Sequence, residues 1–317
     1  MRIGQNPAKF VKTVAQPERI TVTVLNYIPL LSGYYADLQN VLQAHLASLR
    51  ANAGLPFDLM VFDNGSCEEV QQYLLDEFNK GNIEYLLLSQ KNLGKGGAWN
   101  LLFGGAPGEI IAYTDNDVLF SKKWLKESVS LLETYPNVGM VTARPFRTNP
   151  EYYSSTLKWA AENPDVKMER GSFVKWGDFR DFDLSLGQSL EEIKKRFGET
   201  EDIRFTFQGL QAFSGASHWQ FTAYKSVLQK YLPFTMDRPM GQVKQLDQRI
   251  NADGYLRLMT AEPLAMNMSN QVGLTSGDQL SDLKKKQTSR KGFLALKPVR
   301  AILMKVYNWI FNLYYKD

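Results

Sequence analysis

From Arg19 to Asp117 the chain repeats a two-part pattern, in which a short apolar or β-branched run ends on polar side chains and leads into helical spacing. Arg19 to Tyr27 is the first such run, and Leu38, Val41, Leu42, Leu46 and Leu49 then share one helical face. Asp58 to Phe62 stops at Asp63-Asn64-Gly65-Ser66, where Ser66 and Glu69 have the spacing of a capping box for a helix through Tyr73, Leu74 and Phe78. Ile83 to Leu88 leads into the glycine-rich Asn92 to Asn100, which opens another helix, and Glu109 to Thr114 ends in Asp115-Asn116-Asp117. Such alternation predicts an α/β fold with a mostly parallel sheet flanked by helices, and ligands beyond the carboxyl ends of its strands.

Residues i and i+2 of an extended chain point to the same side, so Asp115 and Asp117 aim together just past a strand end. Two convergent carboxylates suit a hard cation, Mg²⁺ or Mn²⁺, bound together with a diphosphate. A solvated turn rich in Asp and Asn is the plainer alternative. Gly94-Lys95-Gly96-Gly97 fits neither a dinucleotide fingerprint, whose last glycine is replaced by Trp99, nor a P-loop, which needs Ser or Thr after Gly-Lys.

Taken in order, Leu25-Asn26-Tyr27, Asp63-Asn64-Gly65-Ser66, Asn92-x-Gly94 with Ala98 and Asn100, and Thr114-Asp115-Asn116-Asp117 resemble the family 2 glycosyltransferases of GT-A fold, over roughly residues 19–270. The resemblance implies that Asn26 and Tyr27 line a nucleotide pocket and that Asp63 accepts hydrogen bonds from the base. It implies that Asn92, Gly94 and Lys95 close over base and ribose, with glycine allowing close backbone approach. Asp115 would sit near ribose and metal, and Asp117 would ligate Mg²⁺ or Mn²⁺ on the diphosphate. The metal's role would be Lewis-acid neutralisation of the leaving group. Residues 19–147 would form the nucleotide-sugar half and 148–270 the acceptor half, after an N-terminal extension over 1–18.

The acceptor half is expected to carry an irregular, aromatic insertion from about Thr148 to Phe213, with Tyr152, Tyr153, Trp159, Phe173, Trp176, Phe179 and Phe182 either stacking on sugar rings or packing the insertion onto the core. Ser189 and Glu192 have capping-box spacing and predict one helix inside it. Gly215 to Phe221 resembles the family's Gly-Ala stretch beside the acceptor. The family's acidic pair is displaced here to Gln245-Leu246-Asp247-Gln248-Arg249, which makes Asp247 the expected general base and Asp237 its reserve. The alternative for Asp247 is a helix carboxylate paired with Arg249 or solvent. His45 and His218 are the chain's two histidines. The first is expected to be half-buried packing and the second an acceptor-side contact, while Asn267 or Asn270 stands where relatives carry a histidine ligand.

A lone Cys67 excludes a disulfide framework, and residues 1–16 lack the apolar run of a signal peptide, which points to the cytoplasm. Net charge is only +4, and no nucleic-acid partner is expected. Residues 271–292 read as a basic flexible linker. Residues 293–317 read as an amphipathic helix, lying on the inner face of a membrane or docked on protein. The expected activity is inverting transfer of a sugar from a nucleoside-diphosphate donor, UDP-linked by family habit, to a glycan or polyprenyl-linked hydroxyl. A non-catalytic glycan-binding protein and a nucleotidyltransferase are the alternatives.

Overall fold

The computed structural model describes residues 4–240 and 243–272, so the expected tail helix and nearly all of the basic linker lie outside the described residues. The first half alternates as anticipated: β1 (Ile20–Asn26), α1 (Leu38–Asn52), β2 (Asp58–Asp63), α2 (Glu68–Asn79), β3 (Tyr85–Leu88), α3 (Gly94–Gly105), β4 (Ile110–Asp115), β5 (Val118–Phe120), α4 (Trp124–Thr134) and β6 (Val138–Thr142). The second half holds α5 (Ser154–Glu162), β7 (Lys167–Gly171), α6 (Trp176–Ser185), α7 (Leu190–Glu199), β8 (Asp202–Phe207), β9 (Leu210–Ser214), β10 (Gln220–Tyr224), α8 (Lys225–Leu228), α9 (Val243–Ala252), β11 (Leu256–Thr260) and β12 (Ala265–Asn267).

One sheet runs through both halves in the order β3-β2-β1-β4-β10-β6-β11-β9-β8-β7. The pairings make β3, β2, β1, β4, β6, β11 and β8 point one way, while β10, β9 and β7 run against them. Helices cover both faces, because each face of the central strands is apolar. Val22, Val24 and Val61 pack with Leu42, Leu46, Val70, Leu74 and Trp124 on one side. On the other, Met60, Phe62 and Tyr113 meet Trp99, Leu102 and Phe103 of α3 and Leu246 and Ile250 of α9.

Two local expectations are corrected. Ser66 does not cap α2, whose N-cap is Cys67 without a side-chain hydrogen bond. Its hydroxyl instead accepts from Asn26 Nδ2 at 3.0 Å and from the Ile28 amide at 2.9 Å, tying the end of β1 to the turn after β2. The stretch 148–213 is regular rather than irregular. It is a helical and antiparallel layer with its own small core of Val174, Phe179, Ile193, Phe213 and Met259. Ser189 and Glu192 form the expected capping box at the start of α7.

Candidate active site

Register brings the carboxyl ends of three neighbouring strands level, pairing Asn26 with Asp63 and Leu25 with Asp115. Asp63 is fully buried. Its Oδ1 accepts from Asn26 Nδ2 at 2.8 Å, and its Oδ2 from the Ser66 amide at 3.0 Å and Gln71 Nε2 at 2.9 Å. Asn26 is buried too, and its Oδ1 accepts from Asn116 Nδ2 at 2.6 Å. Asp63 and Asn26 therefore do not line the pocket as expected. A buried carboxylate must spend its acceptors on internal donors, and this one organises the turns that do line it.

The cavity beside them, about 330 Å³, is lined by Tyr27, Asn64, Asn92, Gly94, Lys95, Asp115, Asn116 and Asp117, with Leu25, Pro239 and Met240 completing the wall. Asn64 sets the turn before α3, donating to Asn92 Oδ1 at 3.0 Å and accepting from the Leu93 amide at 2.7 Å. Gly94 has φ +68°, and a Cβ there would lie 2.9 Å from the Arg238 carbonyl. Only glycine permits both that conformation and the approach of the 238–240 loop, which the Lys95 amide holds through Pro239 O at 2.8 Å.

Lys95 is buried, lies over the rings of Trp99 and Tyr113, and pairs with Asp115 Oδ2 at 2.8 Å. The Tyr113 hydroxyl donates to Asp115 Oδ1 at 2.5 Å. Burial, and then the charge of Asp115, push the Tyr113 phenol well up, so it stays a donor. Asp117 is different. It is half-buried as a residue, yet its Oδ1 is shielded and has no partner, while Oδ2 accepts from Asn267 Nδ2 at 3.2 Å. Burial and the neighbouring Asp115 push its carboxyl up to about 7.

An unpartnered buried carboxylate oxygen beside a second carboxylate fits a hard cation, which would supply the missing partner. Among the described residues no cluster of three or more His, Cys, Asp or Glu could hold a metal. Asp115 and Asp117 are the side chains that would hold such a cation, with the rest of its coordination left to phosphate and water, as suits Mg²⁺. Pairing of β12 with β5 brings Asn267 opposite Val118. Its amide nitrogen faces Asp117 while its oxygen accepts from the Ser269 amide at 2.8 Å, so it orients the carboxylate rather than offering a ligand oxygen. Asn270 donates to Tyr34 O at 3.1 Å and contributes nothing here.

A second cavity of about 460 Å³ shares Lys95, Asp115 and Met240 with the first and adds Phe146, Phe182, His218, Trp219 and Asn267. A third, about 750 Å³, continues it through Phe146, Arg147, Thr148 and Arg196 toward Tyr153 and Phe213. The insertion's aromatics divide: Phe182 reaches the cleft, whereas Trp176 and Phe179 pack on Phe197. Asp247 does not open onto the cleft as expected of a base. It is 6% exposed, and both oxygens are taken, Oδ1 by Arg257 Nη2 at 2.5 Å and Oδ2 by His218 Nδ1 at 2.8 Å. Neither Arg249 nor solvent is its partner, since Arg249 lies over Tyr231 and donates to its carbonyl. Asp237 is exposed in the 235–240 loop.

Sequence reasoning missed Arg257, although an arginine inside the apolar run Leu256 to Met259 is a signal of buried ion pairing. It also missed Asn64 and Asn116 as wall residues, though both stand inside motifs it used. His45 is fully buried rather than half-buried, with Nδ1 at 2.6 Å from Val118 O.

Residues 34–185 match the family described as Glycosyl transferase family 2. An uncharacterized glycosyltransferase of Nostoc sp. strain PCC 7120 is 24% identical over 123 residues, 39% of this chain and 35% of the relative, so the chain spans about a third of that protein. Mannosyltransferase PcManGT from Pyrobaculum calidifontis, solved with GDP-Man and Mn²⁺, aligns with TM-score 0.47 and 16% identity over 90% of this chain and 68% of that one. Residues 1–349 of S. aureus TarS align with TM-score 0.44 and 16% identity over 78% and 59%. Among the described residues no helix is long and apolar enough to cross a membrane.

Proposed function

We propose that this chain is a family 2 glycosyltransferase, moving a sugar from a nucleoside-diphosphate sugar to a hydroxyl of a glycan acceptor with inversion at the anomeric carbon. The observation that carries this reading is the orphaned Asp117 Oδ1 in the 330 Å³ cavity, beside Asp115 and Lys95, which line the 460 Å³ cavity as well. The nucleotide occupies the 330 Å³ cavity, its ribose against Asn116 and Asp115 and its base between Tyr27 and the Asn64–Asn92 turn. With Asp63 turned inward, these groups do not choose between uracil and guanine, and UDP is the first nucleotide to test. Asp115 and Asp117 would hold Mg²⁺ or Mn²⁺, and the bound cation would supply charge neutralisation as the diphosphate leaves. Lys95 contributes a fixed ammonium to the same charge. The acceptor enters through the 460 Å³ cavity, whose Phe146, Phe182 and Trp219 offer ring faces to a sugar. A polyprenyl carrier and a membrane-surface site would depend on residues 293–317.

A thermal-shift panel of nucleoside diphosphates with and without Mn²⁺ tests the reading. Binding only to the folded state at about 100 times Kd stabilises by about 2.7 kcal/mol. The expected result is Mn²⁺-dependent stabilisation by at least one diphosphate, lost in Asp117→Ala. No stabilisation by any of them would remove the proposal.

A further inference from the structure

We infer that His218, positioned by Asp247 and Arg257, is the group that takes the proton from the attacking hydroxyl; this rests on the glycosyl-transfer reading above. Arg257 is nearly inaccessible and donates to the carbonyls of Tyr152 at 2.6 Å and Ala216 at 2.7 Å as well as to Asp247. Asp247 is thus gripped from behind by a guanidinium that can only donate, with its Oδ1 accepting from Arg257 Nη2 and its Oδ2 turned to His218. With the carboxylate oxygen accepting, His218 Nδ1 is the donor at 2.8 Å, the tautomer whose lone pair sits on Nε2. That nitrogen has no partner among the described residues. The His218 side chain is 27% exposed and opens on the cavity shared with Asp115, Lys95 and Asn267, whereas Asp247 lies behind it.

In the step assigned to it, the acceptor O–H bond breaks and its proton passes to His218 Nε2. The acceptor oxygen forms its bond to the anomeric carbon, and the bond from that carbon to the diphosphate oxygen breaks with its electron pair leaving on the diphosphate. Asp247 touches the imidazole and not the substrate, so it is a positioning residue. It holds the tautomer and balances the imidazolium that forms, the roles a carboxylate plays behind a catalytic histidine.

The full chain labelled with ¹⁵N-histidine gives only two imidazoles to assign. Long-range ¹⁵N–¹H correlation should find His218 protonated on Nδ1. In Asp247→Asn the amide oxygen is claimed by Arg257, so the NH₂ faces His218 and the proton should move to Nε2. His218→Gln and Asp247→Asn should each cut nucleotide release from a panel of UDP-, GDP- and dTDP-linked hexoses with Mn²⁺, water acting as acceptor, by about 10²–10⁴-fold. Nucleoside-diphosphate binding should be unchanged in both. A native Nε2–H tautomer overturns the inference, as does a His218→Gln protein with wild-type turnover, or one that loses Mn²⁺-dependent diphosphate binding, which would make His218 a ligand. A wild type that neither binds diphosphates nor releases nucleotide overturns the glycosyl-transfer reading, and the base role with it.

Discussion

On the side proposed to hold the donor, the cavity wall comes from residues at or just beyond the ends of β1, β2 and β4 and from the turn into α3, closed by Pro239 and Met240. Its polar groups are joined by the chain Asp63–Asn26–Asn116. On the side proposed to take the acceptor the wall comes from segments far apart in sequence, braced by ion pairs. Arg147 reaches Asp202 and Arg257 reaches Asp247 with both partners buried, and the partly exposed Arg196 reaches the buried Asp183. Strand-end geometry fixes the first wall, and desolvated ion pairs fix the second. The donor side should therefore tolerate loss of charge structurally and lose function, whereas the acceptor side should lose structure first.

The largest effect expected is on the acceptor side. Asp202 is buried and accepts from Arg147 Nε at 2.7 Å and from the amides of Phe173 and Val174 at 2.8 and 2.9 Å. Asp202→Ala leaves a buried guanidinium unpaired, and urea unfolding should register a loss of roughly 3–5 kcal/mol. Nucleoside-diphosphate binding below the transition should persist. If it disappears in parallel, the two walls are one unit and the contrast fails.

Next comes the donor side. Asp117→Ala should reduce nucleotide release from nucleoside-diphosphate sugars by roughly 10²–10³-fold, the scale for losing one preorganised group that stabilises developing charge. Its effect on folding has the opposite sign. A carboxyl raised to about 7 in the folded chain favours folding most below its unfolded value and loses that contribution as pH rises through about 7. Without divalent cation, Asp117→Asn should thus melt higher than wild type at pH 8 and no higher at pH 4. A lower melting point at pH 8 would mean that the carboxylate is already well satisfied.

These two results would also explain what the sequence could reveal. Asp115, Asp117, Gly94 and Lys95 were legible because strand-end side chains one residue apart, and a glycine turn opening a helix, have geometry set by local backbone rules. Asp63 and Asn26 were found as part of the site but misjudged, since nothing local tells a lining carboxylate from one captured by Gln71 and the Ser66 amide behind it. The insertion read as irregular because its strands and helices pack through pairs such as Arg147 with Asp202, separated by 55 positions. Asp247 lies in a helix and His218 in a turn 29 residues away, and only the fold joins them.

His45 gives a pH test confined to the donor half. Burial, outweighing its hydrogen bond to Val118 O, lowers its imidazole to about 4. The unfolded chain therefore binds a proton near pH 6.5 that the folded chain refuses until about 4. The contribution is present above 6.5 and lost as pH falls between those values, up to about 3 kcal/mol. Urea midpoints for wild type against His45→Gln should converge as pH drops through that window. Parallel curves would mean that another group carries the acid sensitivity.

The smallest effect compares two glycines of positive φ, one on each side. Gly187, φ +81°, has nothing within 4 Å of a built Cβ, whereas at Gly94, φ +68°, the Cβ would meet the Arg238 carbonyl at 2.9 Å. Either alanine substitution should cost about 1–2 kcal/mol for the left-handed backbone alone. Gly94→Ala must also push back the 238–240 loop, whose Pro239 and Met240 close the 330 Å³ cavity. It should weaken nucleoside-diphosphate binding by about tenfold, the factor carried by some 1.4 kcal/mol, while Gly187→Ala leaves binding unchanged. Equal binding losses in calorimetric titration would mean that general destabilisation, and not the fit of that loop over α3, governs the donor side.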